Sequence, residues 1–185
     1  MSIGLCGAHR TGKTTLAEAL SVQVKKPLVK TITSEIFRQY GLDPAQPLDF
    51  KRRLEIQKQI LISYVEIWAS QQQSFITDRT PVDLMAYTLA DIQGNTEVDF
   101  PELERYMEQC FEVTNKYFNV LIVLQPGIEL IPAEGKAALN RAYIEHLNSL
   151  VLGLCHDERL KSSIVCIKRE VIDLDDRIKK VLNIQ

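Results

Sequence analysis

The sequence has no surplus of positive charge. Its 185 residues include 22 lysines and arginines against 24 aspartates and glutamates, a formal net charge of -2. Proteins that bind nucleic acid without sequence preference rely on a cationic surface. We therefore expect no nucleic acid among the partners, although a local basic groove is compatible with this charge balance.

Long apolar runs are also missing. No window approaches the roughly 20 apolar residues that a membrane-spanning helix needs. The first residues, MSIGLCG, lack the basic flank and apolar stretch of a signal peptide. These absences predict a cytoplasmic protein with no membrane partner.

The chain has few cysteines, and their spacing forms no CxxC pair. Most of them have apolar neighbours, which favours reduced core thiols over disulfides or metal ligands. Cys155 and His156 are adjacent, but no second pair is present to complete a metal site. The four cysteines are Cys6, Cys110, Cys155 and Cys166.

Short apolar runs alternate with longer segments of helical period, a pattern typical of a parallel sheet covered on both faces. With 45% apolar residues, the chain can form one domain over residues 1–185. The predicted strands are 2–6, 28–33, 74–79, 119–127 and 162–169. The predicted helices are 13–24, 35–40, a long helix that Asp49 caps and that runs to about residue 73, 81–89, 102–116, 137–154 and 174–182.

The segment GAHRTGKT matches the phosphate-binding pattern G-x-x-x-x-G-K-[ST], between a predicted strand and a predicted helix. Backbone N–H groups of such a loop surround phosphate oxygens, and the helix N-terminus adds partial positive charge. Lys13 is expected to reach the β and γ phosphates and Thr14 to bind Mg²⁺. We therefore predict ATP and Mg²⁺ as cofactors. The predicted binding residues are Gly7, Ala8, His9, Arg10, Thr11, Gly12, Lys13, Thr14 and Thr15.

A carboxylate and an arginine follow the second predicted strand, where ligands of open α/β sheets bind. Glu35 is a candidate to take a proton from an attacking hydroxyl. Arg38 lies one turn further and is a candidate to bind an anionic acceptor. The alternatives are a carboxylate that stabilises a helix N-terminus, with Ser34 as cap, and a solvated arginine.

Asp78 and Arg79 end the third predicted strand, where charges are costly unless they have partners. Asp78 is placed to hold a Mg²⁺-bound water or to orient the acceptor, and Arg79 to bind a phosphate with its planar guanidinium. An internal Asp–Arg pair, or Asp78 as a helix cap, is the alternative. Asp83 is expected to orient Arg79 or to lie in the first helical turn.

A loop at about residues 127–141 contains proline and glycine and is a candidate lid. Lys136 and Arg141 would neutralise the charge of the transferring phosphoryl group on closure. On the long third helix, Arg53 and Gln57 share a face and are candidates to contact the acceptor, unless that face is simply solvated. Tyr64 and Trp68 are expected to be core residues.

Taken together, these residues resemble the P-loop nucleoside and nucleotide kinase superfamily over most of the chain. The similarity is strongest to small AAA-type ATPase/kinase domains that include the nicotinamide riboside kinase part of a NAD-biosynthesis regulator. In that group a Glu-x-x-Arg follows the second strand, as Glu35 and Arg38 do here. Its lid has an (Asp)-Gly-Arg segment before a further arginine. Here Glu134-Gly135-Lys136 and Arg141 are similar, with lysine in place of the first arginine.

The loop HRTGKTT is also similar to that of thymidylate kinases. That resemblance implies that Arg10 contacts the transferring phosphate and that Asp78-Arg79 binds an acceptor nucleotide. His9 stands where that family has aspartate. The superfamily implies an α/β fold with a five-stranded parallel sheet in the order 2-3-1-4-5 and a closing lid.

The predicted function is phosphoryl transfer from ATP to a nucleoside or a (deoxy)nucleoside monophosphate. One alternative is a P-loop ATPase or nucleotide-binding regulator without a phosphorylated acceptor. Another is a kinase that acts on a modified base in DNA. The catalytic candidates are Lys13, Arg10, Glu35, Asp78, Lys136 and Arg141. The oligomeric state is left open, a homodimer included.

Overall fold

A computed structural model describes residues 2–31, 33–42, 48–131 and 140–183. Its five strands form one sheet in the order β2-β3-β1-β4-β5, and every neighbouring pair is parallel. This confirms the predicted fold. The strands are β1 Ile3–Cys6, β2 Leu28–Val29, β3 Ile76–Thr77, β4 Val120–Leu124 and β5 Ser163–Ile167.

Helices connect the strands and cover both faces of the sheet. In the part of the chain that the structure describes, they are α1 Lys13–Val24, α2 Thr33–Gln39, α3 Phe50–Ala69, α4 Pro81–Ala90, α5 Phe100–Tyr117, α6 Arg141–Cys155 and α7 Leu174–Leu182. None of the described helices combines the length and the apolarity that a membrane span requires.

Alternate residues of the central strands pack into different halves of the core, because successive side chains of a strand point to opposite faces. Ile3 and Leu5 of β1 pack with α1 and α7, whereas Cys6 packs with α3, α4 and α5. Tyr64 and Trp68 are buried among the latter helices, as predicted. The sheet thus forms the middle layer of a three-layer α/β/α structure.

Polar side chains fix where several helices begin. Asp49, Asp99, Asn140 and Asp173 each accept a hydrogen bond from a backbone N–H in the first turn of α3, α5, α6 and α7. Such caps satisfy donors that have no partner within the helix. The cap at Asn140 places the start of α6 at Arg141, so the predicted start at residue 137 was too early.

Two strands are shorter than predicted. β2 contains two of the six predicted residues and β3 two of six. β2 lies at the edge of the sheet and pairs only with β3, while Thr33 already belongs to α2. Asp78 and Arg79 therefore follow β3 at the carboxyl edge instead of ending it.

Three cysteines are buried, as expected, but Cys166 on β5 is exposed. Its prediction as a core residue was wrong because β5 is the other edge strand, and its residues 163–166 are not fully covered. All four are free thiols.

Candidate functional site

The loop between β1 and α1 has a backbone that requires glycine at two positions. Gly7 has φ 147°, and a Cβ there would lie 2.6 Å from the carbonyl oxygen of Leu124. Gly12, at the start of α1, has φ 85°. Arg10 also has a positive φ, 64°, a conformation that non-glycine residues seldom adopt outside functional or turn positions. The predicted phosphate loop thus has the tight curvature that its sequence pattern implied.

The Lys13 side chain packs against the backbone of this loop and is almost wholly buried. Its ammonium donates hydrogen bonds to the carbonyl oxygens of Gly7, at 2.6 Å, and Ala8, at 2.8 Å. A carboxylate oxygen of Asp83 lies 3.9 Å away. Burial lowers the pKa of Lys13 to about 8, and Arg79 adds to this shift, while Asp83, Cys6 and Asp78 oppose it.

Asp83 connects the loop to the first turn of α4. One carboxylate oxygen accepts the N–H of Gly7 at 3.1 Å, and the other accepts the N–H and hydroxyl of Thr80 at 2.8 and 2.9 Å. Asp83 is fully buried. Burial raises its pKa, and Lys13, Arg79 and Thr80 oppose that change. The expectation of a first-turn position was right, but sequence reasoning missed the contact with Gly7.

Thr14 and Asp78 meet beside the loop. The Thr14 hydroxyl donates to one oxygen of Asp78 at 2.6 Å. The other oxygen of Asp78 is buried and has no hydrogen-bond partner among the described residues. A hydroxyl and a carboxylate oxygen are the hard ligands that Mg²⁺ prefers, so this pair fits the predicted metal role. Thr15, on the same helix turn, is exposed.

Arg79 lies in a cluster with aromatic residues that reaches the loop. Its guanidinium is 5.5 Å from the ring centre of Tyr87. The Tyr87 hydroxyl lies 3.3 Å from Nδ1 of His9, and the ring of Tyr143 is 5.9 Å from that of His9. Burial lowers the pKa of Arg79, but Tyr87, Asp83 and Tyr64 raise it more, so the guanidinium stays charged. Arg79, Tyr87 and Tyr143 thus form a cluster that contacts the phosphate loop at His9.

Glu35 and Arg38 form a bidentate ion pair on α2, with the Nη2 of Arg38 2.6 and 2.7 Å from the two carboxylate oxygens. The hydrogen bond from Arg38 lowers the pKa of Glu35. Both side chains are accessible. Among the described residues, no hydrogen bond or ion pair joins them to the phosphate loop. The hydroxyl of Thr33 on α2 bonds that of Tyr64, which in turn interacts with Arg79.

Arg53 and Gln57 are largely buried rather than solvated. Arg53 pairs with Asp91 at 2.8 Å, and its guanidinium lies 5.7 Å from the ring of Phe37. The side-chain oxygen of Gln57 is buried without a hydrogen-bond partner among the described residues. Asp91 is a neighbour that the sequence analysis did not identify.

Arg10 and Arg141 line one cavity of about 290 Å³ between the segment after β4 and the start of α6. Arg10 also donates to the carbonyl oxygen of Ile131. Arg141 is exposed at the first position of α6, whereas the predicted helix 137–154 placed it inside the helix. Lys136 and most of the predicted lid lie outside the described residues.

Besides Asp91, sequence reasoning missed Tyr87, Tyr143 and Arg177. The spacing of Tyr87 and Tyr143 along their helices is equally typical of core residues, so the sequence does not identify them as site residues. Arg177 of α7 donates to the carbonyl oxygen of Thr11 at 2.9 Å, across 166 residues of chain. The pattern T-P-V-D at residues 80–83 is a capping-box signal and could have identified the Asp83–Thr80 contact.

Comparisons with known proteins identify the family and the fold of the chain. A family model described as an AAA domain matches residues 2–130. Among curated proteins there is no match. Among solved structures, deoxyadenosine kinase from M. mycoides with bound dCTP has a TM-score of 0.70 at 18% identity, covering 99% of this chain and 97% of that chain.

The NadR protein in complex with NAD and AMP-PNP has a TM-score of 0.64 at 16% identity, covering 98% of this chain and 48% of that chain. At such identities these similarities establish the fold alone. The family model covers more than half of the sequence. The chain therefore belongs to this AAA domain family and has the fold of the P-loop nucleoside kinases.

Proposed function

We propose that the protein transfers the γ-phosphoryl group of ATP to a small nucleoside or nucleoside monophosphate in the cytoplasm. The observation that carries the proposal is the cluster of Arg79, Tyr87 and Tyr143, which contacts the phosphate loop at His9. An enzyme that only hydrolyses ATP needs no second polar cluster next to the loop. The full-length similarity to a deoxyadenosine kinase fold supports the same conclusion.

The donor half of the reaction rests on the loop. Its N–H groups and Lys13 would hold the phosphates, and Lys13 would leave the carbonyl oxygens of Gly7 and Ala8 to reach them. Thr14 and Asp78 would hold Mg²⁺, which neutralises charge on the β and γ phosphates when bound. Arg10 and Arg141, with Lys136, would stabilise the charge of the loose transition state. Catalysis would thus come from positioning and charge.

The acceptor half has two versions. If the acceptor is a hydroxyl, Glu35 would receive its proton, and Arg38 would orient the carboxylate through their ion pair. If the acceptor is a monophosphate, its oxygen is already ionised, and Arg79 or Arg38 would bind it. Arg53 and Gln57 are proposed to contact the rest of the acceptor. The side-chain oxygen of Gln57, which is buried and has no hydrogen-bond partner in the described part of the chain, fits that role.

Glu35→Gln and Arg79→Ala separate the two versions. Hydroxyl transfer predicts a loss of about 10²–10⁴-fold in kcat for Glu35→Gln. Monophosphate transfer predicts near-normal kcat for Glu35→Gln and a raised KM for the monophosphate in Arg79→Ala. Glu55→Gln is the matched control, because Glu55 forms an exposed ion pair of the same spacing with Arg52. A turnover as low in the control as in Glu35→Gln would contradict a specific role for Glu35.

The function itself is tested by ADP formation with and without a panel of nucleosides and nucleoside monophosphates. Phosphoryl transfer predicts that ADP release depends on the acceptor and that a phosphorylated product appears. ADP release at one rate in every mixture would contradict the proposal and favour the ATPase alternative. Neither outcome depends on knowing the acceptor in advance.

A further inference from the structure

Arg177 is a buried arginine on α7 that the roles above do not include. It is 3% exposed. Its Nε donates to the carbonyl oxygen of Val171 at 2.7 Å, and its Nη1 donates to that of Thr11 at 2.9 Å. Its Nη2 is buried and has no hydrogen-bond partner among the described residues.

No carboxylate pairs with Arg177 among the described ion pairs. Removing an arginine from water costs several kcal/mol unless an anion compensates it. Burial accordingly lowers the pKa of Arg177. Because this buried charge has no carboxylate partner in the described part of the chain, we infer that a ligand supplies the anion.

The position of Arg177 indicates which ligand. Its Nη1 is so close to the phosphate loop that a Cβ on Gly12 would lie 3.0 Å away. Gly12 is the residue at the N-terminus of α1, where the helix dipole favours an anion. The nearest anionic ligand that the loop would bind is the phosphate chain of the donor.

The hydrogen bond to Thr11 also fixes a peptide plane. The carbonyl of Thr11 and the N–H of Gly12 belong to one planar trans peptide and point in opposite directions. Because Arg177 holds the carbonyl towards α7, the N–H of Gly12 points to the other side of the loop. A charged donor on the carbonyl also polarises the peptide and strengthens its N–H as a donor.

We propose that Arg177 is a positioning residue for the donor triphosphate: it orients the Thr11–Gly12 peptide and supplies a buried positive charge that the phosphates balance. Because Arg177 also donates to the carbonyl oxygen of Val171, it links the loop to the segment between β5 and α7. This inference rests on triphosphate binding in the proposed function. It does not depend on the identity of the acceptor.

The test is the dissociation constant of MgATP, measured by titration calorimetry without any acceptor. Arg177→Gln should weaken binding about 10- to 100-fold, the usual effect of losing a charge-assisted hydrogen bond. Arg177→Lys should weaken it by a smaller factor, about 3- to 10-fold on the same basis, because an ammonium lacks the planar fork that bridges two carbonyls. Arg105→Gln, an exposed arginine on α5, is the control and should bind as the wild type does.

Thermal unfolding without nucleotide separates positioning from structure. A merely structural arginine would lower the melting temperature of the variants and leave the affinity of the folded protein unchanged. Wild-type affinity in Arg177→Gln would overturn the inference. If Arg177→Gln does not fold, wild-type affinity in Arg177→Lys overturns it equally. A wild-type protein that does not bind MgATP would instead contradict the proposed function.

Discussion

The ammonium of Lys13 lies out of solvent between two carbonyl oxygens, with Asp83 as its carboxylate neighbour. Its burial lowers its pKa to about 8, so it is charged below that pH and neutral above it. A neutral lysine cannot balance phosphate charge. We therefore expect the proposed activity to be sensitive to alkaline pH through Lys13.

We predict that kcat/KM for ATP falls about tenfold per pH unit above roughly pH 8, because this ratio reports the free enzyme. In kcat the fall should begin at higher pH, since bound phosphates raise the pKa of Lys13. A pH series of initial rates measures both. Lys13→Arg is the control and should remove the alkaline fall, because arginine stays charged. A wild-type kcat/KM for ATP that stays constant up to pH 10 would contradict the burial of Lys13.

Asp83 accepts one N–H from the loop and two donors from Thr80. In Asp83→Asn the amide group cannot accept where the second oxygen did, so a buried donor loses its partner. We expect a loss of about 1–3 kcal/mol in the free energy of unfolding, measured with urea. Loss of the negative charge should also lower the pKa of Lys13, so the fall in kcat/KM for ATP should begin at lower pH.

Asp157→Asn provides the comparison for this variant. Asp157 forms a surface ion pair with Arg159, and such pairs contribute about 0–1 kcal/mol. Two results would show that Asp83 does not stabilise the loop. One is an equal urea midpoint of unfolding in the two variants, and the other is a fall in kcat/KM that begins at the wild-type pH in Asp83→Asn.

At the scale of elements, the first residue of α6, Arg141, is the candidate cation of the predicted lid. Arg141 is exposed at the first helical position and lines the same cavity as Arg10. We predict that Arg141→Gln lowers kcat about 10²–10³-fold and changes the affinity for ATP little, because charge on closure favours the transition state. Single-turnover rates and ATP titrations separate the two effects. Arg105→Gln on α5 should leave both unchanged, and a loss confined to ATP affinity would speak against a lid role.

Elements with strong local signals could be predicted with accuracy. α1 and α7 have the predicted bounds, 13–24 and 174–182, because a glycine loop begins the former and an aspartate cap the latter. The extents of β2 and β3 could not be predicted, since the length of a ladder depends on its partner strand. The start of α6 was predicted too early because the residues before Asn140 also favour a helix, so the sequence did not identify Asn140 as the cap.

The phosphate loop was predictable because its chemistry lies in eight consecutive residues. The contacts of Asp83 and Arg177 were not, because they join residues 76 and 166 positions apart. A charged residue on α7 has the same sequence pattern whether it is solvated or buried under the loop. Only the tertiary structure distinguishes these cases.

At the scale of the whole molecule, the fold brings the phosphate loop and the proposed acceptor residues to one edge of a parallel sheet. The loop follows β1, Asp78 and Arg79 follow β3, and α2 with Glu35 follows β2. Adjacent strands β2, β3 and β1 thus deliver all three groups to neighbouring positions. This arrangement fits the proposed transfer of a phosphoryl group to an acceptor.

The most direct measurement follows the γ-phosphoryl group itself. ATP labelled in that group is incubated with the protein, Mg²⁺ and a mixture of nucleosides and nucleoside monophosphates, and the products are identified by mass spectrometry. We predict that the label appears in a phosphorylated nucleoside or nucleotide with the wild type and not with Lys13→Ala. Label found only in free inorganic phosphate, at the same rate with and without the mixture, would contradict it.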